Sequence, residues 1–448
     1  MGTDSAATMA LDTGQLVLRG GRPLRGTVTL RGAKNSLPKL MVAAALTDAP
    51  CVLRNVSGIA DVQIVTELLR ALGGEVEEVE PGAIRISTAN LQPMERFVLR
   101  DFSGRSRIPI LLCGPLLARF GVAPVPSLGG CRIGNRPVDF HIAALQQLGA
   151  TLHEQAGASH LSAERLTGNK IQLDFPSVGA TEQVILSAVR ADGVTELSNA
   201  AVEPEIMDLI MVLQKMGAVI SVDVDRTITI VGVKRLRGFD HEAVPDRLEA
   251  ASWACAAVAT CGRIMVRNAR QADMMTFLNR FRQIGGDFSV TPDGIEFWRE
   301  REKLRSTALQ TDVYPGFSTD YQQPFVIALT QAEGVSIVHE TVYEDRFGYV
   351  EALNRMGARI QLYRECLGGL SCRFGKRNYK HSAVIVGPTA LHGAEIHIPD
   401  LRAGFSYVIA ALAATGESTL TGTHLIQRGY ENIIEKLTAL GADIVAAS

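Results

Sequence analysis

Apolar and polar positions along the chain follow a pattern that occurs six times. In each copy, a helical pattern ends in an apolar residue followed by Gly, and an alternating pattern typical of a β-strand comes next. The glycines that end the six helical patterns are Gly73, Gly149, Gly217, Gly285, Gly357 and Gly441. Because Gly readily adopts the left-handed conformation that terminates a helix, each copy predicts a helix, a glycine cap and a strand.

A second element recurs in phase with the first. It is an Ala-rich stretch that is apolar nearly all round, which predicts a helix buried inside the protein. The six stretches are 39–46, 108–119, 181–191, 247–260, 323–332 and 402–414. A unit built around one such helix has too little core to fold alone. Three units around a shared core of parallel helices, with sheets outside, satisfy the pattern, and two such bodies use all six units.

Composition indicates an ordinary globular protein. The chain has 448 residues, 46% of them hydrophobic and 21% charged, with a formal net charge of −2. A near-neutral balance argues against binding to nucleic acid or to a membrane surface through bulk electrostatics. The longest apolar run, 108–118, is too short to span a bilayer and contains Pro109 and Pro115. We therefore expect a cytoplasmic protein that binds neither nucleic acid nor a membrane.

Cysteine spacing disfavours a disulfide framework or a zinc ribbon. The chain has seven cysteines, and no two of them form a CxxC pair. We expect six of them to be buried thiols and no metal site; these six are Cys51, Cys113, Cys255, Cys261, Cys366 and Cys372.

The residues that precede the buried helices are more polar than a core helix needs. A helix N-terminus carries unpaired N–H groups and the positive end of the helix dipole, which suits an anion such as phosphate or carboxylate. Ser, Thr and Asp at such positions are also ordinary N-caps. Basic residues there oppose the helix dipole, so capping does not explain their position. The polar residues are Lys34, Asn35, Arg105, Arg107, Ser177, Thr181, Glu182, Asp246, Arg247, Ser318, Thr319, Asp320, Asp400 and Arg402. If the helices of both bodies point their N-termini one way, a cleft between the bodies would bind anions.

One loop, GGCRIGNRPVD at 129–139, combines a thiol with cations. Arg132 and Arg136 should lower the pKa of Cys131, making it an effective acid or nucleophile at neutral pH. Arg428 precedes a glycine and a helix. A lone arginine there is usually exposed to solvent, so Arg428 is a candidate only because Arg402 also lies at a helix start.

Taken together, these motifs resemble the enolpyruvyl transferases, from about Leu16 to Val445. The motifs include RGAKNS, GPLLARFG, GGC.IG.RPVD, FPSVGATE, PGFSTD, EDRFGYVE, PDLRAG and RGYENIIEKL. The resemblance implies a two-domain inside-out α/β prism. We expect the first domain to comprise 34–243 and the second to comprise 15–33 plus 244–448. Two chain crossings of this kind suggest a hinge.

The resemblance also implies roles for individual residues. It assigns Cys131 as the acid that protonates carbon 3 of phosphoenolpyruvate, and as the thiol that the epoxide fosfomycin alkylates. It assigns Asp320 as the base on the acceptor hydroxyl and Lys34 as a catalytic cation. The residues implied for phosphoenolpyruvate are Lys34, Arg107, Arg136, Arg402 and Arg428. Those implied for the uridine nucleotide are Asn35, Arg136, Pro137, Val138, Asp139, Ser177, Val178, Gly179 and Val342.

The implied reaction transfers the enolpyruvyl group to a hydroxyl of UDP-N-acetylglucosamine, with release of phosphate and no cofactor, in the synthesis of a peptidoglycan precursor. Some positions depart from the family pattern. Phe175 stands where many members have Lys, and the segment 364–383 is longer than a typical member needs. These departures leave a second acceptor open, namely another uridine nucleotide such as UMP in a nucleoside-antibiotic pathway.

Three further alternatives are less favoured. The GGC loop with RPVD belongs to the uridine-nucleotide branch, which argues against a shikimate-pathway enzyme. A nucleotide sensor should have lost catalytic groups, yet Cys131, Asp320 and Lys34 are present. A cysteine hydrolase needs a histidine partner for Cys131, and none can be assigned. The sequence leaves the oligomeric state open.

Overall fold

A computed structural model describes residues 14–93, 102, 105–126, 139–155, 158–299, 303–369, 372–375 and 377–445. In these ranges the α-helices are α1 (Leu37–Ala44), α2 (Ala60–Ala71), α3 (Cys113–Phe120), α4 (Asp139–Gln147), α5 (Val178–Ala188), α6 (Pro204–Lys215), α7 (Arg247–Ala259), α8 (Met275–Gln283), α9 (Thr319–Thr330), α10 (Val350–Arg355), α11 (Leu401–Ala413) and α12 (Ile433–Ala439). Three 3₁₀-helices cover Ile108–Leu112, Gln271–Met274 and Thr423–Arg428.

The strands in the same ranges are β1 (Gln15–Arg19), β2 (Arg25–Thr29), β3 (Cys51–Arg54), β4 (Glu75–Glu80), β5 (Ala83–Ser87), β6 (Val122–Val125), β7 (Thr151–Gln155), β8 (Ala158–Ser162), β9 (Lys170–Gln172), β10 (Val194–Ser198), β11 (Val219–Val222), β12 (Ile228–Val231), β13 (Asp240–Glu242), β14 (Arg263–Arg267), β15 (Gly286–Thr291), β16 (Gly294–Arg299), β17 (Leu304–Arg305), β18 (Ala308–Gln310), β19 (Ala332–His339), β20 (Ile360–Tyr363), β21 (Ser382–Gly387), β22 (Glu395–His397), β23 (Glu417–Thr421) and β24 (Asp443–Val445).

Contacts divide the chain into two units. Among the described residues, unit I lies within 31–126 and 139–244, and unit II lies within 14–30 and 245–445. The sequence-based boundaries differ from these by a few residues, because 31–33 group with unit I and 244 does also. The N-terminal strands belong to unit II, where β1 pairs with β23 and β2 pairs with β14.

Unit II consists of three sheets packed on three buried helices. The strand orders are β22-β23-β1-β24, β15-β16-β14-β2 and β17-β19-β21-β20, with β18 also paired to β19. Helices α7, α9 and α11 contact one another, and each also packs on one of the sheets. All thirteen residues of α7 are buried. Because the helices fill the interior and the sheets lie outside them, the core is built mainly from small apolar side chains that let the helices approach closely.

Unit I repeats this arrangement. Its described sheets have the orders β13-β3-β5-β4, β11-β12-β10-β9 and β6-β8-β7. The interior contains α1, α5 and the segment formed by the 3₁₀-helix Ile108–Leu112 and α3. The sequence predicted one helix over 108–119, but the structure begins it as a 3₁₀-helix. Pro109 lies in that first turn and Pro115 lies in the first turn of α3, where a missing N–H is tolerated.

The predicted glycine caps are confirmed. All six glycines have positive φ angles, from +78° at Gly441 to +102° at Gly217. The prediction of six buried thiols is wrong in part. Cys51, Cys113 and Cys255 are buried, whereas Cys261 and Cys366 are exposed and Cys372 is half-buried. Among the described residues, no helix is long and apolar enough to span a membrane.

Candidate active site

The three central helices of unit II bring their N-termini together. Each begins at a polar N-cap: Asp246 for α7, Ser318 for α9 and Asp400 for α11. Arg247 at the start of α7 donates a hydrogen bond of 2.7 Å to the hydroxyl of Tyr321 in the first turn of α9. Arg402 in the first turn of α11 lies 3.5 Å from Asp320 of α9. Within unit II, the buried helices therefore present their positive dipole ends to one place, where an anion is favoured.

Asp320 is held by two guanidinium groups. Its Oδ1 accepts a hydrogen bond of 2.6 Å from Nη2 of Arg346, and its Oδ2 lies 3.5 Å from Nη2 of Arg402. The Asp320 side chain is 21% exposed, whereas that of Arg346 is only 1% exposed. Two neighbouring positive charges favour the ionised carboxylate, which is the form a general base needs. Ser318, and not Asp320, caps the helix, since its hydroxyl accepts from the Asp320 N–H.

Arg402 is a buried permanent cation. Burial alone would lower the pKa of Arg402, but the charges of Asp320, Tyr430 and Asp246 raise it above its ordinary value. Its Nη1 donates a hydrogen bond of 3.4 Å to the hydroxyl of Tyr430, which also lies 3.1 Å from the hydroxyl of Ser252. Arg428 is half-buried and ends the 3₁₀-helix two residues before Tyr430. The structure thus places Arg402 and Asp320 together, and connects the Arg428 segment to them through Tyr430.

The Val342 segment is tied to the start of α9 by Glu340. One oxygen of this buried carboxylate accepts from the N–H groups of Val342 (2.8 Å) and Tyr343 (3.0 Å). The other accepts from Thr319 Oγ1 at 2.9 Å, next to Asp320 in the chain. Burial raises the pKa of Glu340, and the charge of Arg346 opposes that shift. Glu340 therefore fixes the backbone at Val342 relative to the candidate base.

In unit I, Lys34 forms a well-shielded ion pair. Its Nζ lies 2.7 Å from Oδ2 of Asp61, whose side chain is 4% exposed, while Lys34 is 18% exposed. The carbonyl of the adjacent Asn35 accepts a hydrogen bond of 2.6 Å from Lys39, which lies 3.5 Å from Glu182 of α5. Burial raises the pKa of Glu182 to about 7 despite the charge of Lys39. The loop that carries Lys34 is thus fixed by buried charges on three helices.

Two of the predicted nucleotide residues of unit I, Asp139 and Gly179, lie close to His141. Ser177 caps α5, its hydroxyl accepting from Ala180 N–H, and Gly179 follows in the first turn. A methyl group at Gly179 would come within 3.0 Å of the His141 ring, so only Gly fits there without a shift. Burial, together with the positive charge of nearby Arg107, lowers the pKa of His141 to about 4. Asp139 is exposed at the start of the same helix, α4.

Some candidates lie elsewhere. Cys131, Arg136, Pro137 and Val138 fall outside the described residues. Arg105 forms a surface ion pair of 2.9 Å with Glu67, where both side chains are about half exposed.

Sequence reasoning missed the buried charges that hold the candidates in place. Arg346, Glu340 and Asp61 are all buried. A charged residue is rarely buried unless it is paired, but the sequence does not reveal which charges are buried. One available signal was the aromatic residues that follow Arg346 in the EDRFGYVE motif.

Comparison with known proteins places this site in a family. The family model for EPSP synthase (3-phosphoshikimate 1-carboxyvinyltransferase) matches residues 18–437. The UDP-N-acetylglucosamine 1-carboxyvinyltransferase of Protochlamydia amoebophila is 50% identical over 436 residues, which cover 96% of this chain and 93% of that protein. The protein of the same name from Chlamydia abortus is 49% identical over 430 residues, covering 95% of this chain and 96% of that protein.

Solved structures agree with this assignment. The enolpyruvyl transferase NikO from Streptomyces tendae has a TM-score of 0.83 at 25% identity, covering 96% of this chain and 98% of that chain. An EPSP synthase from Acinetobacter baumannii has a TM-score of 0.76 at 17% identity, covering 97% of this chain and 100% of that chain. The predicted fold class, an α/β protein of the inside-out two-domain type, is confirmed. The chain belongs to the EPSP synthase family of enolpyruvyl transferases.

Proposed function

We propose that this protein transfers the enolpyruvyl group of phosphoenolpyruvate to a hydroxyl of UDP-N-acetylglucosamine, with release of phosphate. The observation that carries the proposal is the near full-length identity of 50% to a relative named for that reaction. The product would be a peptidoglycan precursor, and the reaction would take place in the cytoplasm. The chemistry needs no metal or organic cofactor, because protons and one leaving group are all that move.

The cations found in both units suit phosphoenolpyruvate. This substrate carries a phosphate and a carboxylate, which call for several Lys and Arg donors. We propose that Lys34, Arg107, Arg136, Arg402 and Arg428 bind it. Lys34 is held by Asp61 at 2.7 Å and Arg402 by Asp320 at 3.5 Å, so both cations are positioned before any anion arrives.

The reaction divides into an addition and an elimination. In the addition, Cys131 gives a proton to carbon 3, Asp320 takes the proton of the acceptor hydroxyl, and that oxygen bonds to carbon 2. In the elimination, the bond from carbon 2 to the phosphate oxygen breaks and carbon 3 returns a proton to the Cys131 thiolate, which restores the double bond. Phosphate leaves with the proton that Asp320 had taken. Asp320 suits its part because two guanidinium groups favour its ionised form and because it lies in the first turn of α9.

We further propose that the uridine nucleotide contacts Asn35, Arg136, Pro137, Val138, Asp139, Ser177, Val178, Gly179 and Val342. The backbone supports this role, because Ser177 caps α5 and Gly179 leaves room beside His141. Glu340 likewise fixes the Val342 backbone through two N–H groups. Fosfomycin would alkylate Cys131.

Phosphate release measured with phosphoenolpyruvate and each candidate acceptor tests the proposal. We expect release with UDP-N-acetylglucosamine and a product whose mass exceeds that of the acceptor by one enolpyruvyl group. Release with UMP and none with UDP-N-acetylglucosamine would show that the acceptor is a different uridine nucleotide. Tight nucleotide binding without any phosphate release would indicate a sensor and would overturn the enzymatic assignment.

A further inference from the structure

The segment that is longer than the family needs contributes to a cluster of metal-ligand residues in unit II. The ligand atoms of His339, Cys366, Cys372 and His381 all lie within 4.8 Å of one another. The two sulfur atoms are 3.4 Å apart, and Cys366 Sγ lies 3.3 Å from Nε2 of His381. His339 ends β19 and His381 directly precedes β21, the neighbouring antiparallel strand. Both cysteines come from the connection between β20 and β21.

Both histidines are oriented by their second ring nitrogen. Nδ1 of His381 lies 2.8 Å from the carbonyl oxygen of Tyr379, and Nδ1 of His339 lies 2.8 Å from the hydroxyl of Ser382. Each contact leaves Nε2 for a ligand, which is the usual arrangement of metal-binding histidines. Nε2 of the fully buried His339 has no hydrogen-bond partner among the described residues. A buried polar atom of this kind needs a partner, and a metal ion supplies one.

Two glycines let the connection close tightly around the cluster. A methyl group at Gly368 would come within 2.4 Å of the His339 ring, and one at Gly375 would lie 3.2 Å from the sulfur of Cys366.

The spacing and the types of the ligand atoms indicate which metal the cluster would bind. In a tetrahedral zinc site the ligand atoms lie roughly 3.3 to 3.8 Å apart, given Zn–S of about 2.3 Å and Zn–N of about 2.0 Å. The two sulfur atoms at 3.4 Å, and Cys366 Sγ at 3.3 Å from Nε2 of His381, are at the short end of this range, and all four ligand atoms lie within 4.8 Å of one another. Two thiolates with two imidazoles favour zinc over hard cations such as magnesium or calcium. We propose that His339, Cys366, Cys372 and His381 bind one structural zinc ion.

A zinc site here would contradict the expectation, drawn from the sequence, that the protein has no metal site. That expectation rested on the absence of a CxxC pair, whereas here the cysteines are separated by five residues. One histidine ends β19, far from the cysteines in the sequence, and the other directly precedes β21. Strand pairing between β19 and β21, which the sequence does not reveal, assembles the set.

The cluster is connected to the candidate nucleotide segment. Arg373, next to Cys372, donates a hydrogen bond to the carbonyl of Val342. The N–H of Glu340 donates to the carbonyl of His381 at 2.8 Å. A zinc ion would therefore stabilise the backbone that presents Val342. This consequence rests on the proposed function, and predicts that loss of zinc raises KM for the nucleotide more than it lowers kcat.

Metal analysis of the full-length protein tests the site independently of its activity. Protein purified without added metal should contain about one zinc ion per chain by inductively coupled plasma mass spectrometry. The double variant Cys366→Ser with Cys372→Ser should lose it, while the control Cys261→Ser should retain it, since Cys261 is exposed and belongs to no such cluster among the described residues. Cobalt-substituted protein should show the charge-transfer absorption of thiolate ligands, which the double variant should lack.

A second measurement covers the case in which the double variant does not fold. Chelation of zinc from the wild-type protein should lower Tm by about 5 to 10 °C, and added zinc should restore it. Folded wild-type protein that contains no zinc, or an intact mass that shows a disulfide between Cys366 and Cys372, would overturn the proposal. A normal zinc content with no phosphate release would leave the site standing and refute only the enzymatic function.

Discussion

Replacing Asp320 with Asn separates the part this residue plays in the reaction from its part in the fold. The amide oxygen can still accept the 2.6 Å hydrogen bond from Arg346, but the negative charge is lost. Arg346 and Arg402, 1% and 5% exposed, then keep their charges with one counter-charge fewer. Breaking a buried pair outright costs about 3 to 5 kcal/mol. Because one hydrogen bond remains and Asp320 is partly exposed, we expect about 1 to 2 kcal/mol of lost stability.

The catalytic effect should be much larger than the effect on stability. An amide cannot take the proton of the acceptor hydroxyl, and general-base assistance is worth about 10²- to 10⁴-fold in rate. We therefore expect kcat to fall by about that factor while nucleotide affinity changes little. Phosphate release, nucleotide binding and urea unfolding should be measured on the same preparation.

Ser318→Ala is the matched control for this experiment. Ser318 caps the same helix through the Asp320 N–H, so removing its hydroxyl costs about 1 kcal/mol without removing a carboxylate. The control should lose comparable stability and keep its turnover. If Asp320→Asn turns over as fast as Ser318→Ala, Asp320 is not the base, and its ion pairs serve the fold alone.

The remaining predictions concern unit I and the 129–139 loop. Fosfomycin should modify Cys131 in preference to the other six cysteines, and an adduct mapped elsewhere by peptide mass spectrometry would refute its assignment. Because the pKa of Glu182 is raised to about 7 in the folded protein, the folded state binds more protons than the unfolded state between about pH 4.5 and 7, and stability should fall as pH rises through that window. Urea unfolding at several pH values should show that the free energy of unfolding falls less with pH for Glu182→Gln than for the wild type. The fall should be unchanged for Glu67→Gln, whose carboxylate lies at the surface. Asp208 accepts from Ser36 at 2.5 Å and lies 2.7 Å from His241, so Asp208→Ala should cost about 3 to 5 kcal/mol, measured by urea unfolding. A loss below about 1 kcal/mol would mean that this network contributes little to stability.

The elements of the fold were predictable because each depends on a local pattern. A glycine at the end of a helical pattern needs a positive φ angle whatever surrounds it, and all six predicted caps have one. The apolar stretches predicted the buried helices for the same reason, since a helix without a polar face has to lie inside. The start of the helix predicted at 108 was wrong because two prolines in its first turns favour 3₁₀ geometry, a local effect that the pattern of apolar residues does not reveal.

The candidate site was predictable only as far as its motifs are continuous in sequence. Asp320 and Arg402 were found because each stands at a helix start within a recognisable motif. Arg346, which pairs with Asp320, and Glu340, which accepts from Thr319, come from the segment that follows β19, and their contacts with the start of α9 become visible only in the folded chain.

The same distinction explains why the thiols of the 364–383 segment were misjudged. A cysteine counted alone is most often a small buried hydrophobe, and that expectation held for the three cysteines on the regular elements α3, α7 and β3. Cys366 and Cys372 lie in a connection with few apolar residues, and neither is fully buried. Packing in the core therefore does not explain these two cysteines. Their sulfur atoms lie 3.4 Å apart, and Cys366 Sγ lies 3.3 Å from Nε2 of His381. Nε2 of the neighbouring His339 is buried without a hydrogen-bond partner among the residues described. Bringing these polar groups together removes them from water, which costs free energy. A bound cation would offset that cost. The chemistry of that connection therefore follows from the pairing of β19 with β21 and not from the spacing of its cysteines.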